Sequence, residues 1–115
     1  MTVFKIGDVV TVEFPYSDLQ GRKKRPGLVL ASDENDALLA RITTRPPRDF
    51  GDILLENWSD VGLPKPSTVR LTKLVTVDKR LILRRVGRLG AEDRSAVLQG
   101  LSVWLKALGS EFASP

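Results

Sequence analysis

Residues 21–30, GRKKRPGLVL, carry four consecutive cations, Arg22, Lys23, Lys24 and Arg25, directly before a proline and an apolar run. Clustered cations raise the local electrostatic potential and attract polyanions, nucleic acid first among them. Arginine adds a planar, permanently charged guanidinium that can bind two phosphate oxygens at once. Two interpretations stay open on this evidence alone: a phosphate-binding loop, and a solvated surface that keeps the protein soluble.

The composition excludes several other kinds of chemistry. The 115 residues include no Cys and no His, which removes disulfides, thiolate nucleophiles, the commonest metal ligands and the commonest general base near neutral pH. No metal site and no cofactor are predicted. The net charge is only +4, but the cations are unevenly placed. A second basic group contains Lys79, Arg80, Arg84, Arg85 and Arg88. Its last three members alternate along a strand, so at most part of the group can contact one ligand.

Two aromatic residues flank the basic loop. Phe14 and Tyr16 lie on either side of Pro15, where their rings could stack on unpaired bases. Phe14 fits a core position equally well, because it continues the alternating pattern of the strand before it. If the ligand is a nucleic acid, Lys23 and Lys24 would follow its backbone, although a solvated loop explains them nearly as well.

The elements that must position these residues are mostly strands. Alternating or β-branched runs predict strands over residues 7–14, 25–32, 37–44, 52–56, 67–77 and 81–89, the first of them half-buried. Apolar residues at helical spacing between Val97 and Leu108 predict one C-terminal helix, with Glu92 and Asp93 in its first turn and Gly109 at its end. Five or six short strands and one helix predict a small, strongly bent antiparallel sheet or barrel.

The chain is expected to form one domain over residues 1–108, followed by a polar C-terminal tail over residues 109–115. Its apolar runs are shorter than the ~20 residues that a membrane span requires. The N-terminal residues MTVFKIGDVV lack a signal-peptide pattern, so a cytoplasmic location is the default expectation.

Several motifs occur together in a recognisable order. These are GDVVTVEFPYSDLQGRKKRPGLVLAS, then ITT at residues 42–44, then GLPKPSTVRLTKLVTVDKRLILRRVGRL. In combination they resemble the MazF/PemK toxins of bacterial type II toxin–antitoxin systems, and the resemblance runs from about residue 7 to residue 101. Gly27, where Ala or Val is usual, and Thr44, where Ser is frequent, are small departures from the family pattern.

The resemblance implies a fold, an activity and partners. The fold would be a mainly β, SH3-like antiparallel barrel of the CcdB–MazF type with a C-terminal helix. The protein would be a homodimer that cleaves single-stranded RNA at a short sequence without a metal. The RNA would lie in a groove near the dimer interface. A cognate antitoxin with an acidic, apolar and disordered tail would block that groove. Arg25 and Thr43 match the catalytic arginine and threonine of the family, and Thr44 and Lys73 lie in the matched segments as candidate RNA contacts.

These residues suit an electrostatic mechanism. The 2′-hydroxyl of RNA attacks the adjacent phosphorus, giving a 2′,3′-cyclic phosphate and a 5′-hydroxyl. Arg25 would stabilise the extra phosphoryl charge, and Thr43 would orient the phosphate or the 2′-hydroxyl. The base stays open among Glu13, Asp18, a second hydroxyl and water. Two other functions also stay open: a binding inhibitor resembling the CcdB gyrase poisons, and a non-catalytic RNA-binding barrel.

Overall fold

The computed structural model describes residues 3–13 and 23–115, which form one antiparallel sheet and a C-terminal helix. The elements, in chain order, are β1 (Asp8–Glu13), β2 (Lys24–Ser32), β3 (Asp36–Thr43), β4 (Asp52–Leu54), β5 (Thr68–Asp78), a short 3₁₀ helix (Lys79–Leu81), β6 (Ile82–Arg88) and α1 (Ala91–Ala113). The strand order is β4-β5-β3-β2-β1-β6, and every pairing is antiparallel. The predicted fold class is confirmed, and the sheet is open because β4 and β6 do not pair within the described residues.

The core lies on both faces of this sheet. Alternation along β1 places Val9 with one buried cluster, which also contains Val97 of α1, and Val10 and Val12 with a second cluster around Leu39. All three valines of β1 are fully buried. The prediction of a half-buried first strand was therefore wrong. A period of two shows that the faces differ, but not that other elements cover both of them.

The helix α1 approaches the sheet closely at one glycine. A Cβ atom at Gly100 would lie 2.6 Å from Ile53 Cδ1 and 2.9 Å from Leu71 Cδ1, so the small residue lets α1 contact β4 and β5. The helix then continues through Gly109 to Ala113. The expectation that Gly109 ends the helix was wrong, because Gly109 does not adopt the positive φ of a glycine cap. A domain limited to residues 1–108 stays a prediction.

The first turn of α1 also holds a loop in place. Glu92 and Asp93 lie in that turn as expected, but Asp93 is buried and accepts hydrogen bonds from the backbone N–H groups of Glu56 and Asn57 at 2.9 and 3.0 Å. The start of the helix is thereby joined to the segment that follows β4. Across the described residues, no helix combines the length and apolarity that a membrane span requires.

Candidate active site

The sheet opens where β2 begins and β3 ends. The β2–β3 ladder starts only at Gly27, which pairs with Arg41, and the preceding residue, Pro26, has no N–H to donate to it. Continuing the same register by two residues sets Arg25 opposite Thr43. The two predicted catalytic residues therefore lie on neighbouring strands, at the point where those strands separate.

A cleft of about 540 Å³ lies over this opening. Strands β1, β2, β3, β5 and β6 contribute to its lining, together with the loops after β3 and before β5. Within the described residues, every charged side chain that lines the cleft is a lysine or an arginine. Part of the wall is apolar and is formed by Pro26, Ile42, Leu63, Pro64 and Val86. Such a surface suits a ligand that is anionic along its length and carries flat apolar groups.

The structure brings most of the predicted site residues together. Lys24, Arg25, Thr43, Thr44 and Lys73 all line the one cleft. Their proposed roles stay predictions, because the structure gives their placement and contains no ligand.

The remaining predicted residues lie elsewhere or are not described. Lys23 is exposed just before β2 and is not part of the cleft lining. Phe14 and Tyr16 lie outside the described residues, so the structure does not bear on their proposed stacking.

The hydroxyl of Thr43 is held by the chain that follows it. Its Oγ1 accepts a hydrogen bond from the backbone N–H of Arg45 at 3.2 Å, which is the local turn geometry that Thr readily forms. The hydroxyl proton remains available to donate to a ligand in the cleft. Across the β3–β5 ladder Thr43 pairs with Thr68, whose buried Oγ1 has no hydrogen-bond partner among the described residues.

Several arginines of the cleft were not predicted from the sequence. Four residues that were not singled out contribute to the charged lining: Arg41, Arg45, Arg48 and Arg70. A signal was available for two of them, since Arg45 and Arg48 enclose the two prolines directly after Thr44. Arg41 lies two residues before Thr43 in β3, and Arg70 comes from β5, which pairs with β3 only in the folded sheet.

The second basic group divides, but not by simple alternation, which would place Arg88 on the same face as Arg84; register shifts in the β1–β6 ladder break that period. Arg84 lines the cleft. The guanidinium groups of Arg85 and Arg88 lie instead 3.8 and 3.3 Å from the buried carboxylate of Asp8. The prediction that only part of this group can reach one ligand is confirmed.

An ion-pair network supports the edge of the cleft. Arg70 donates from Nε to Asp52 Oδ1 at 3.2 Å and from Nη2 to Asp49 Oδ2 at 2.6 Å. The other oxygen of Asp52 accepts the backbone N–H groups of Arg48 and Asp49, both at 3.2 Å. Burial raises the pKa of Asp52, but the hydrogen bonds from Arg48, Asp49 and Arg70 outweigh it and hold that pKa below its usual value.

Neither acidic candidate for the general base is shown in the cleft. Glu13 pairs with Lys24 in the β1–β2 ladder and is not part of the cleft lining, and Asp18 lies outside the described residues. Three further residues that carry hydroxyl groups, Thr11, Thr44 and Ser67, line the cleft, although the Ser67 hydroxyl donates to the carbonyl of Lys65. In residues 3–13 and 23–115, no group of three or more His, Cys, Asp or Glu side chains is placed to hold a metal ion.

One wall of the cleft is a tightly packed loop. The N–H of Gly62 donates to the carbonyl of Ser59 at 3.1 Å, and the N–H of Leu63 donates to the carbonyl of Trp58 at 3.1 Å. A Cβ atom at Gly87 of β6 would collide with the carbonyl oxygen of Val61. The wall is therefore fixed by its own turns and by close contact with β6.

Comparison with known proteins assigns the family. Residues 5–105 match the family of PemK-like, MazF-like toxins of type II toxin–antitoxin systems. The chain belongs to this family. The match spans nearly the whole sequence and includes every strand of the sheet and most of α1. No curated protein matches the sequence.

Solved structures share the fold of this PemK-like, MazF-like chain. A mycobacterial endoribonuclease in complex with its cognate antitoxin is 15% identical, with a TM-score of 0.72, over 90% of this chain and 96% of that one. The Mycobacterium tuberculosis toxin MazF-mt6 is 19% identical, with a TM-score of 0.70, over 86% and 96%. A further mycobacterial endoribonuclease is 16% identical, with a TM-score of 0.69, over 92% and 94%. At these identities the likeness shows the fold.

Proposed function

We propose that this toxin is a metal-independent, sequence-specific endoribonuclease that cleaves single-stranded messenger RNA and so inhibits translation and growth. The observation that carries the proposal is the meeting of Arg25 and Thr43 in one cleft whose charged lining is entirely cationic within the described residues. Membership of the toxin family and the fold shared with endoribonucleases support it.

The chemistry follows from these two side chains. The ribose 2′-oxygen forms a bond to phosphorus while the bond from phosphorus to the 5′-oxygen breaks. The 2′-proton leaves to a base, and the departing 5′-oxygen takes up a proton. The guanidinium of Arg25 binds the phosphoryl oxygens as their negative charge grows, and the hydroxyl of Thr43 donates to a phosphoryl oxygen or orients the nucleophile. The products are a 2′,3′-cyclic phosphate and a 5′-hydroxyl.

The surrounding residues bind and position the RNA in this proposal. Lys24 and Lys73 contact backbone phosphates along the cleft, and Lys23 extends this cationic path outside it. Thr44 adds a second hydroxyl beside Thr43. Phe14 and Tyr16 stack on unpaired bases. The apolar wall offers a further surface for bases.

Cleavage of a mixed RNA pool in the presence of EDTA tests the proposal. We expect wild-type protein to cut RNA but not DNA, which lacks the 2′-hydroxyl, and we expect Arg25→Ala and Thr43→Ala each to lower the rate at least about 100-fold. Arg80→Ala and Thr76→Ala, which change the same residue types outside the cleft, serve as controls. Circular dichroism verifies that all four variants fold.

Two other outcomes would replace the proposal. RNA left intact at high enzyme concentration, together with inhibited DNA supercoiling, would select a binding inhibitor of the CcdB type. Tight and salt-sensitive RNA binding with no product would select a non-catalytic RNA-binding domain.

The proposal includes a cognate antitoxin. A tail that is acidic, apolar and disordered when free would fold onto the cationic cleft and its apolar wall. We expect the protein encoded by a neighbouring small open reading frame to co-purify with the toxin and to stop cleavage in the assay above. Co-purification without inhibition would place the antitoxin on a different surface.

A further inference from the structure

The loop over residues 44–51, TRPPRDFG, places two arginines in the cleft beside the proposed catalytic pair. Arg45 forms no ion pair with a carboxylate of the described residues. The Nε of Arg48 lies 3.8 Å from Asp49, and both of these side chains are 55% exposed. An exposed pair at that distance is weak. Both guanidinium groups are therefore available to an anion in the cleft.

The backbone at both arginines is anchored before any ligand binds. The N–H of Arg45 donates to Thr43 Oγ1, and the N–H of Arg48 donates to Asp52 Oδ2, each at 3.2 Å. Between them, Pro46 and Pro47 restrict φ. Because these contacts and the two prolines restrict the loop, binding should lose little chain entropy.

Arg70 differs from these two, although it also lines the cleft. Its side chain is only 15% exposed, and its guanidinium contacts both Asp52 and Asp49. The side chain of Asp52 is 2% exposed and pairs with Arg70 across the β4–β5 ladder. The guanidinium of Arg70 is thus paired with carboxylates of the protein, and these ion pairs hold the C-terminal end of the loop over residues 44–51.

We propose that Arg45 and Arg48 form a second phosphate-binding site, which binds the RNA backbone outside the scissile phosphate held at Arg25. Asp52 and Arg70 are positioning residues that keep this loop in its binding conformation. The inference rests on the RNA cleavage proposed above. In this proposal the loop over residues 44–51 contributes affinity for the RNA backbone, and Arg25 and Thr43 carry out bond cleavage.

Binding of single-stranded 2′-O-methyl RNA, which lacks the attacking hydroxyl, tests the two arginines directly. For Arg45→Ala/Arg48→Ala we expect Kd to rise at least about tenfold. The slope of log K against log salt should shrink by about 0.7 for each phosphate that the variant no longer binds. Arg80→Ala/Lys106→Ala removes the same charge outside the cleft and should leave both values unchanged. A wild-type Kd and slope in the loop variant would overturn the proposal.

Asp52→Asn tests the positioning role, because charge and geometry predict opposite results. The substitution removes a negative charge, so simple attraction predicts tighter RNA binding. Loss of the loop anchor predicts weaker binding, and we expect Kd to rise about fivefold. Glu111→Gln, on the exposed end of α1, makes the same charge change as a control. If Asp52→Asn does not fold, Asp49→Asn takes its place, since that carboxylate is exposed. Binding as tight as wild type or tighter would contradict the positioning role.

Single-turnover cleavage at saturating enzyme separates this inference from the proposed function. We expect the loop variant to cut bound, unmodified RNA within about threefold of the wild-type rate. A rate about 100-fold lower at unchanged Kd would place the arginines in the chemistry and overturn their assignment as a binding site. Wild-type protein that cuts no RNA would overturn the proposed function itself.

Discussion

Arg25 and Thr43 supply different things to the proposed reaction, and the structure shows different constraints on each. Arg25 is exposed at the start of β2, where β1 is the strand that β2 pairs with among the described residues. Its long side chain can follow the phosphate as charge develops. Thr43 is partly buried, and its oxygen already accepts the N–H of Arg45, so the position of that oxygen is restrained. The long cationic side chain of Arg25 and the restrained hydroxyl of Thr43 together suit RNA cleavage by an enzyme that has no histidine.

These two residues could be predicted from the sequence only with the help of the family resemblance. A threonine at the end of a β-branched strand has an ordinary structural explanation. The hydrogen bond from Arg45, and the register that sets Thr43 across from Arg25, depend on the folded chain. The roles of Arg70 and Asp52 were not predicted, because their pairing requires β4 to lie beside β5.

Asp52 should make stability depend on acid pH. Its pKa is lower in the folded protein than its usual value, so the folded state binds fewer protons than the unfolded state and loses stability as the pH falls. The contribution of Asp52 is complete above about pH 4 and is lost as the pH falls through the lower folded pKa. We expect the Tm of wild-type protein to fall more steeply below about pH 4 than that of Asp52→Asn. Thermal unfolding at several pH values above and below about pH 4 measures this dependence of Tm on pH. Asp60→Asn, at an exposed position, serves as the control. Parallel curves would contradict this assignment.

At the scale of elements, the local sequence pattern predicted the strands correctly but did not predict which elements pack against them. All six predicted strands form. In the turn between β2 and β3, the Asp33 carboxylate accepts the N–H groups of Asn35 and Asp36. Burial of β1 on both faces and extension of α1 beyond Gly109 were missed. Both features depend on the elements that surround the segment in the folded chain, and not on the sequence of the segment alone.

The attachment of α1 to the loop after β4 should be a large local contribution to stability. Asp93→Ala leaves two backbone N–H groups without their acceptor, which should cost about 2–4 kcal/mol of unfolding free energy. Glu92→Ala, at the exposed neighbouring position, should cost less than about 1 kcal/mol. Urea unfolding of the two variants makes the comparison. Equal losses would show that Asp93 acts only through its charge near the helix N-terminus.

The two glycines of α1 should respond differently to alanine. Gly109 has open space around its Cα, so Gly109→Ala should stabilise the helix by up to about 1 kcal/mol. At Gly100 a methyl group would meet the ends of Ile53 and Leu71, and overpacking of about 1–3 kcal/mol should outweigh the same gain. Thermal unfolding compares the pair. Equal stabilisation by both substitutions would mean that α1 does not need a glycine to approach the sheet.

At the scale of the molecule, the cleft is a product of topology that the sequence did not show by itself. Its arginines come from β2, β3, β5, β6 and the loop after β3, and only the order β5-β3-β2-β1-β6 brings these elements to one opening. Composition predicted a partner with negative charge. The concentration of cations on one face, and the use of carboxylates in ion pairs and hydrogen bonds within the protein, can be seen only in the folded chain.

The proposed homodimer is a prediction about the surface of the whole molecule. Large apolar side chains of α1, among them Leu98, Leu105 and Phe112, are more than half exposed, which supports association with a second copy. We expect a solution mass of twice the 12.7 kDa of the chain by analytical ultracentrifugation at micromolar concentration. A single-chain mass at that concentration would contradict the dimer.

The most direct test of the central claim is the rate of cleavage at one mapped site in a synthetic RNA, measured in EDTA for wild type and Arg25→Ala. The account predicts a 2′,3′-cyclic phosphate and a 5′-hydroxyl at the cut, with a rate at least about 100-fold lower for the variant. A folded Arg25→Ala protein that cuts the same site at the wild-type rate would contradict it.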